Sequence, residues 1–248
     1  MAAALLLIAA GCGHRIPAST PEYDGAARLV DTLSNRNADV LTFKGVGTIQ
    51  KISGNQSQSF RAAWIGRHPD RLRLVVLAAG RPAVRIATDG RWVHLLDPYN
   101  RRQPLRRFAF SQSGLESILG VPVRFSDLID LLAGRYPLRP FDSIRTVGNA
   151  PASNIVELAL ERKWAGTAQT LVVDSTASTV RETAFFGFGG ETLYRIRYER
   201  EQAFDQRRVP TRFALESPDG RRLSFRIDRY QENVPVPADT FSLPDPNQ

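Results

Sequence analysis

The sequence predicts a mainly β (α+β) protein with a single strongly curved antiparallel sheet and a few short helices in its mouth. From Leu41 to Tyr230, apolar and polar residues mostly alternate with a period of two, which is typical of strands with one buried face. Turn-forming pairs such as Asp89-Gly90 and Asp219-Gly220 separate these runs. The connections are too short for crossover helices, so neighbouring strands are expected to run antiparallel.

Length and composition favour one folded domain without a metal or cofactor. The chain has 248 residues, of which 42% are hydrophobic and 23% charged, a balance that is typical of globular proteins. Its single cysteine excludes an internal disulfide framework, and three histidines leave little material for a metal site. The sequence also lacks a phosphate-binding loop, a nucleophile elbow and a zinc-protease motif. We therefore predict no cofactor and no enzyme activity.

The N-terminus has the features of an exported protein. Residues 2–10 form an apolar run that is too short to cross a bilayer but has the length of a signal-peptide core. The run leads to Ile8-Ala9-Ala10-Gly11-Cys12, which resembles the bacterial lipobox and implies cleavage before a lipidated Cys12. We expect a signal peptide at 1–11, a lipidated N-terminus and tether at 12–22, and a folded domain at 23–248. An ordinary cleaved signal and a buried N-terminal helix with an inert cysteine are the alternatives.

One amphipathic helix is predicted ahead of the strands. Thr20 is expected to cap it and residues 35–37 to end it. Its apolar face, at helical spacing, consists of Ala26, Leu29, Val30 and Leu33. We expect about ten or eleven strands after this helix.

Two short helices are predicted to interrupt the strands once. Ser113 and Glu116 have the spacing of a capping box at the start of the first. Ser126 is expected to cap the second, and Gly134 to stop it. The apolar face of the second helix consists of Leu128, Leu131 and Leu132.

The net charge of +8 favours an anionic neighbour, namely nucleic acid, anionic lipid or an acidic protein face. The densest basic patch contains Arg101-Arg102 and Arg106-Arg107, but arginines are otherwise spread over all the predicted strands. An exported protein also meets no nucleic acid. High arginine with low lysine is also typical of a compositional bias of the whole chain, so we predict no nucleic-acid partner.

Several stretches resemble one known family. Residues 43–47, 60–64 and 72–74 look like the first strands of LolB, and residues 115–138 resemble its helical insertion. With the lipobox, the tether and the first helix, the order of segments is similar to that of the LolA/LolB lipoprotein-carrier superfamily. This resemblance implies an incomplete β-barrel with short helices over its mouth, whose apolar hollow receives acyl chains.

The resemblance also implies a function. The chain would be a lipoprotein anchored by its lipid at the periplasmic face of the bacterial outer membrane. It would bind the acyl chains of lipoprotein cargo, receive that cargo from a periplasmic LolA-like carrier, and help to localise it to the outer membrane. The alternative is a LolA-like non-catalytic binding module that acts as an envelope sensor or assembly scaffold.

Large apolar residues on the strands and on the second short helix are the acyl-binding candidates: Trp64, Leu72, Leu74, Leu128, Leu132 and Phe225. The alternative is that these side chains fill a closed core. In LolB an apolar loop protrudes between early strands and matters for delivery to the membrane. The matching place here holds the membrane-delivery candidates Leu77, Ala78 and Ala79.

Overall fold

A computed structural model describes residues 25–78, 80–110, 116–204 and 206–243, with the backbone alone at 117, 151 and 238. In chain order, the strands of this part are β1 (Thr42–Ser53), β2 (Gln56–Arg67), β3 (Arg71–Ala78), β4 (Arg81–Asp89), β5 (Trp92–Leu96), β6 (Leu105–Ala109), β7 (Ser143–Ala150), β8 (Ile155–Arg162), β9 (Gly166–Asp174), β10 (Thr179–Phe186), β11 (Thr192–Phe204), β12 (Arg207–Glu216) and β13 (Arg222–Glu232).

These strands form one 13-stranded antiparallel sheet in the order β6-β5-β4-β3-β2-β1-β13-β12-β11-β10-β9-β8-β7. Each half is a meander of hairpins, and the pairing of β1 with β13 joins the halves at the centre. The described residues contain no ladder between β6 and β7, so the sheet curls without closing. The predicted fold class is therefore confirmed. The predicted ten or eleven strands were too few, because five-residue strands such as β5 and β6 show too little alternation to be recognised.

Three α-helices accompany the sheet: α1 (Ala26–Asn35), α2 (Glu116–Leu119) and α3 (Phe125–Leu132). The predicted end of α1 and the stop of α3 at Gly134, with φ of +80°, are confirmed. The predicted cap of α3 was wrong, since Arg124 occupies the N-cap position without a side-chain bond and Ser126 lies inside the helix. Thr20 and Ser113 lie outside the described residues. None of the described helices is long and apolar enough to cross a membrane.

Two apolar clusters hold the helices to the sheet. The larger lies between α3 and the inner face of the central strands, where residues such as Leu74, Phe213 and Leu132 are completely buried. The smaller places Leu29, Val30 and Leu33 of α1 with apolar residues of β8, β9 and β10. Burying these faces stabilises the fold by about 1.5–3 kcal/mol for each large side chain.

The chain after β13 forms a strap, residues 234–241, that is bound to three strands in succession. Thr42 donates to the Val234 carbonyl at 2.7 Å, and Arg67 donates to Val236 at 3.1 Å. Arg73 donates to Thr240 at 3.2 Å, within a short 3₁₀ helix that packs on β3 and β4. The strap therefore forms a raised border on the outer face of the first half of the sheet.

Candidate functional site

The interior between α3 and the inner face of the sheet contains all six acyl-binding candidates. Trp64, Leu72, Leu74 and Phe225 come from the sheet, and Leu128 and Leu132 come from α3. Each is at most 4% exposed, and all belong to the larger apolar cluster. The structure thus brings these residues together in a filled interior, and their binding of acyl chains stays a prediction.

Alternation along the strands and the helical period explain this convergence. In β3, Leu72 and Leu74 are buried, while Arg71 and Arg73, which alternate with them, are partly exposed. In α3, five of the eight residues are apolar, and all five are buried together with Asp127. A helix this short is not stable alone in water, and its place over the sheet depends on these contacts.

The indole ring of Trp64 packs directly against the backbone of two glycines. A Cβ added to Gly45 would lie 2.6 Å from the indole ring, and one added to Gly47 would lie 3.1 Å from it. A side chain at Gly45 would displace the indole, and one at Gly47 would collide first with the Arg226 carbonyl of β13 and also crowd the ring. The two glycines therefore make room for a large ring against the sheet. The indole Nε1 is buried and has no acceptor within the described part of the chain.

Tyr198 is the second unpartnered donor of the interior. Its hydroxyl is buried without a hydrogen-bond partner among the described residues, and its ring meets that of Tyr136 edge-on at 5.0 Å. Burial raises the pKa of the Tyr198 hydroxyl well above its ordinary value, so it stays protonated. A buried donor that lacks an acceptor costs about 1–3 kcal/mol, and both donors are therefore available to a ligand oxygen.

Polar contacts tie α3 and the turn after it to the sheet. The Asp130 carboxylate lies 3.0 Å from His68 Nε2, at the end of β2. Arg135 donates to the carbonyls of Ala38 and Val40 at 2.8 Å each, and Tyr230 donates to the Ala133 carbonyl at 2.9 Å. These bonds sit around the apolar contact and act as a latch on the helix.

A buried ionic network lies beneath α3, which the sequence analysis did not identify. Arg139 makes two bonds of 2.6 Å to Asp127, and its guanidinium lies 4.5 Å from the centre of the Phe185 ring. The Tyr194 hydroxyl donates to the same carboxylate. The signal for it was an aspartate one residue before the apolar face of Leu128, Leu131 and Leu132, because a carboxylate buried beside such a face requires a buried cation.

Titration of this network is shifted by its surroundings. Burial raises the pKa of Tyr194 well above its ordinary value, and the Asp127 charge raises it further. Burial lowers the pKa of Arg139, but its hydrogen bonds to Asp127 and that residue's charge outweigh burial, and the net shift is upward. Every charge is therefore paired, which suits a structural role. Within the described ranges, no three His, Cys, Asp or Glu side chains are grouped to hold a metal.

The membrane-delivery candidates have a different setting from the one expected. Leu77 and Ala78 are the last two residues of β3 and are half-buried, where a protruding loop was predicted. Leu77 pairs with Arg61 and Pro82, and Gly80, at φ of +77°, completes a tight turn into β4. The strand runs further than expected because ladders to β2 and β4 hold its end. Ala79 and Cys12 lie outside the described residues.

Three solved structures share this architecture. A LolA superfamily protein from Nitrosomonas europaea has a TM-score of 0.62 at 15% identity, over 88% of this chain and 97% of its own. A DUF1329 family protein from Desulfovibrio piger has a TM-score of 0.61 at 13% identity, over 89% and 98%. A domain from Vibrio parahaemolyticus, named for outer-membrane lipoprotein sorting, has a TM-score of 0.60 at 10% identity, over 87% and 95%.

Comparison by sequence adds no closer assignment. No protein-family profile matches the chain, and no curated protein matches it either. The structural similarity extends over nearly nine-tenths of the chain and nearly the whole of each related structure. The open antiparallel sheet, with short helices against its inner face, is therefore a LolA-like fold.

Proposed function

We propose that this protein is a non-enzymatic lipoprotein carrier that accepts acyl chains between α3 and the inner face of its sheet. The observation that carries the proposal is the position of α3, which closes the concave side of a LolA-like sheet with apolar residues on both sides of the contact. An acyl chain is aliphatic, as the leucine side chains of α3 are. When the helix moves aside, the acyl chain packs on the inner face of the sheet where the leucines packed before.

Opening the interior displaces one short helix and leaves the strand ladders of the sheet in place. α3 is eight residues long, and the latch consists of a few hydrogen bonds that involve Asp130, Arg135 and the Ala133 carbonyl. Moving α3 away from the sheet also separates Asp127 from the Tyr194 hydroxyl of β11, which is the main polar cost of opening. Each methylene of an entering chain that leaves water contributes about 0.8 kcal/mol, which offsets the lost contacts of the helix. Trp64 and Tyr198 then donate their unpartnered hydrogens to an ester or amide carbonyl of the acylated group.

The finer features of the proposal concern the membrane. Lipidation of Cys12 anchors the protein at the periplasmic face of the outer membrane, and a LolA-like carrier delivers the cargo. The end of β3, with Leu77 and Ala78, and Ala79 beyond it, contacts the membrane during release. The support is the lipobox-like sequence and the half-buried leucine at a sheet turn.

The test is a titration of the soluble chain, starting after Cys12, with a synthetic triacylated lipopeptide. We expect saturable binding that the same peptide without acyl chains does not show. Leu128→Phe adds bulk beneath α3, whereas Leu158→Phe makes the same change in the smaller cluster around α1. Overpacking destabilises either variant by about 1–3 kcal/mol.

Only Leu128→Phe is expected to weaken lipopeptide binding, by about tenfold, or 1.4 kcal/mol. Equal weakening by Leu158→Phe would show that the loss of binding follows from lower stability alone.

A second function is favoured by one observation, the filling of the interior beneath α3 by buried side chains. If the wild type does not bind the lipopeptide, the carrier proposal fails, and the LolA-like domain is better explained as an envelope sensor or assembly scaffold.

A further inference from the structure

The outer face of the sheet carries an apolar patch in otherwise charged surroundings. Elsewhere this face is covered by ion pairs, such as Arg197 with Glu182 at 3.0 Å and Arg222 with Glu199 at 2.6 Å. At the centre of β1, β2 and β3, four partly exposed apolar residues stand side by side instead. They are Val46, Ala63, Ile65 and Val75.

A cavity of about 710 Å³ lies over this patch. Besides the four apolar residues, its lining consists of Lys44, Gly45, Trp64, Arg73, Phe204, Asp228, Arg229, Tyr230 and Gln231. Arg73 of this lining is also bonded to Thr240 of the strap. The apolar floor of this cavity consists of the outward-facing residues of the same strands, and Trp64 and Tyr230 of its lining also belong to the apolar cluster under α3.

A separation between two strands deepens the cavity. The ladder between β12 and β13 covers only Arg212–Glu216 of β12, and residues 207–211 leave β13. Phe204, at the end of β11, and Tyr230 of β13 lie at this separation, with ring centres 5.8 Å apart. The cavity therefore has aromatic as well as aliphatic walls.

Cationic groups surround the apolar floor. Lys44 and Arg229 are exposed and have no acceptor in the described part of the chain, and Arg73 keeps a partly exposed guanidinium at the strap. The one acidic residue of the lining, Asp228, is already paired with Arg61 and with Arg226 at 3.1 Å. The cavity thus combines an apolar floor with the positive charges of Lys44 and Arg229, which its one acidic residue does not neutralise.

We propose that this outer-face cavity binds a single fatty acid, with its chain on the apolar floor and its carboxylate on Lys44 and Arg229. The volume lies within the range of about 300–1,000 Å³ that is typical of small-molecule sites. An ammonium-headed amphiphile would be repelled by the same groups, and a lipid with several chains needs more apolar floor. The proposal does not depend on acyl binding under α3.

The test is calorimetric titration of the soluble chain with dodecanoate and with dodecyltrimethylammonium, both below their micellar concentrations. The two probes have the same chain and opposite head charges. We expect saturable binding of dodecanoate with one molecule per protein, and binding of the ammonium at least about tenfold weaker. Equal binding of both probes, or no saturable binding of dodecanoate, would overturn the proposal.

Variants locate the site. Ala63→Phe fills the cavity floor, and Ala150→Phe makes the same change at an exposed position of the edge strand β7. The double change Lys44→Glu and Arg229→Glu removes the cationic pair, and Arg200→Glu removes an exposed arginine outside the cavity lining. Ala63→Phe and the double variant should each weaken dodecanoate binding about tenfold or more, and both controls should leave it within about twofold.

Two further outcomes separate this proposal from its rivals. Ala63→Phe should leave binding of the triacylated lipopeptide unchanged, whereas Leu128→Phe should leave dodecanoate binding unchanged. An equal loss of dodecanoate binding in Leu128→Phe would place the fatty acid under α3 and overturn the outer-face site. Tighter binding of an uncharged apolar peptide than of dodecanoate, lost in Ala63→Phe, would show a peptide groove and contradict the proposal.

Discussion

At the scale of single residues, the pair of Asp127 and Arg139 places two opposite charges in the interior. Their side chains are 3% and 7% exposed, and Tyr194 and Gln169 complete the surrounding hydrogen bonds. Removing two charges from water is costly, so such a pair is not in itself a large source of stability. Leaving one partner buried alone is nevertheless strongly unfavourable, and the pair therefore holds α3 to the segment that follows it.

Asp127→Ala is expected to lower the free energy of unfolding by about 3–5 kcal/mol, because Arg139 stays buried without its counterion. The measurement is urea unfolding at neutral pH. Glu161→Ala is the matched control, since Glu161 pairs with Arg145 at the surface, and surface pairs contribute about 0–1 kcal/mol. A cost for Asp127→Ala no larger than that of the control would contradict the role assigned to the network.

The buried Tyr194 hydroxyl is expected to make the free energy of unfolding decrease as the pH becomes alkaline. Its pKa is raised by burial and then by Asp127, so the folded state holds the phenolic proton more tightly than the unfolded state does. This contribution is fully present below the unfolded tyrosine pKa of about 10 and is lost as pH rises above it. Tyr194→Phe should therefore lose less stability than the wild type between about pH 9 and 11. Tyr99→Phe, at a 68% exposed position, is the control, and its free energy of unfolding should fall with pH as steeply as that of the wild type. An equally steep fall in Tyr194→Phe would contradict the effect assigned to Tyr194.

At the scale of elements, α3 shows how tertiary contacts sustain a segment that local propensity does not. Its N-cap residue, Arg124, makes no side-chain cap bond, and its aspartate at 127 is turned to a buried partner. The helix forms because Leu128, Ile129 and Leu132 find an apolar surface on the sheet. An element retained in this way can move as a unit when another apolar group occupies the same surface.

The end of β3 provides the second prediction at this scale, which depends on the proposed function. Leu77 is half-buried on the outer face, so Leu77→Glu should cost about 1 kcal/mol, well below the cost of placing a charge in the core. Transfer of bound lipopeptide to liposomes should slow, while lipopeptide affinity stays as in the wild type. Leu41→Glu, at a 62% exposed position, is the control. A loss of several kcal/mol for Leu77→Glu in urea unfolding would show a core residue instead.

At the scale of the whole molecule, the pairing of β1 with β13 brings the first and last strands together. The register runs from Phe43 opposite Glu232 to Ile52 opposite Arg222, with one shift at Val46 and Gly47. This central ladder joins two meanders that are each built from local hairpins. The sheet thus has a long-range contact at its middle and open edges at β6 and β7.

The proposed membrane anchor at Cys12 is tested on the whole protein. Cys12→Ser should release the protein from the membrane fraction, as a soluble or unprocessed chain, because the acyl chains that bind it to lipid are lost. Ser19→Ala, in the predicted tether, should leave the protein with the membranes. Fractionation and intact mass are the readouts. A mature chain isolated from membranes with a free Cys12 thiol would contradict the prediction.

The sequence by itself determined the features that depend on neighbours along the chain. Alternation identified the buried faces of strands such as Leu72–Leu74 and Leu223–Ile227, and helical spacing identified the inner side of α1. The glycine at 134 marked the end of α3, because its positive φ suits a residue without a side chain. These features are local, so the order of residues is enough to specify them.

Only the tertiary structure decided which surfaces meet. The pairing of β1 with β13, the burial of Asp127 against Arg139 and the filled interior beneath α3 all join segments distant in sequence. The outer-face cavity is lined by residues of β1, β2, β3, β11 and β13, which are distant in sequence, and no run of residues signals it. Alternation predicts which side chains of a strand are buried. It does not predict which element packs over them, because that depends on how the sheet curls.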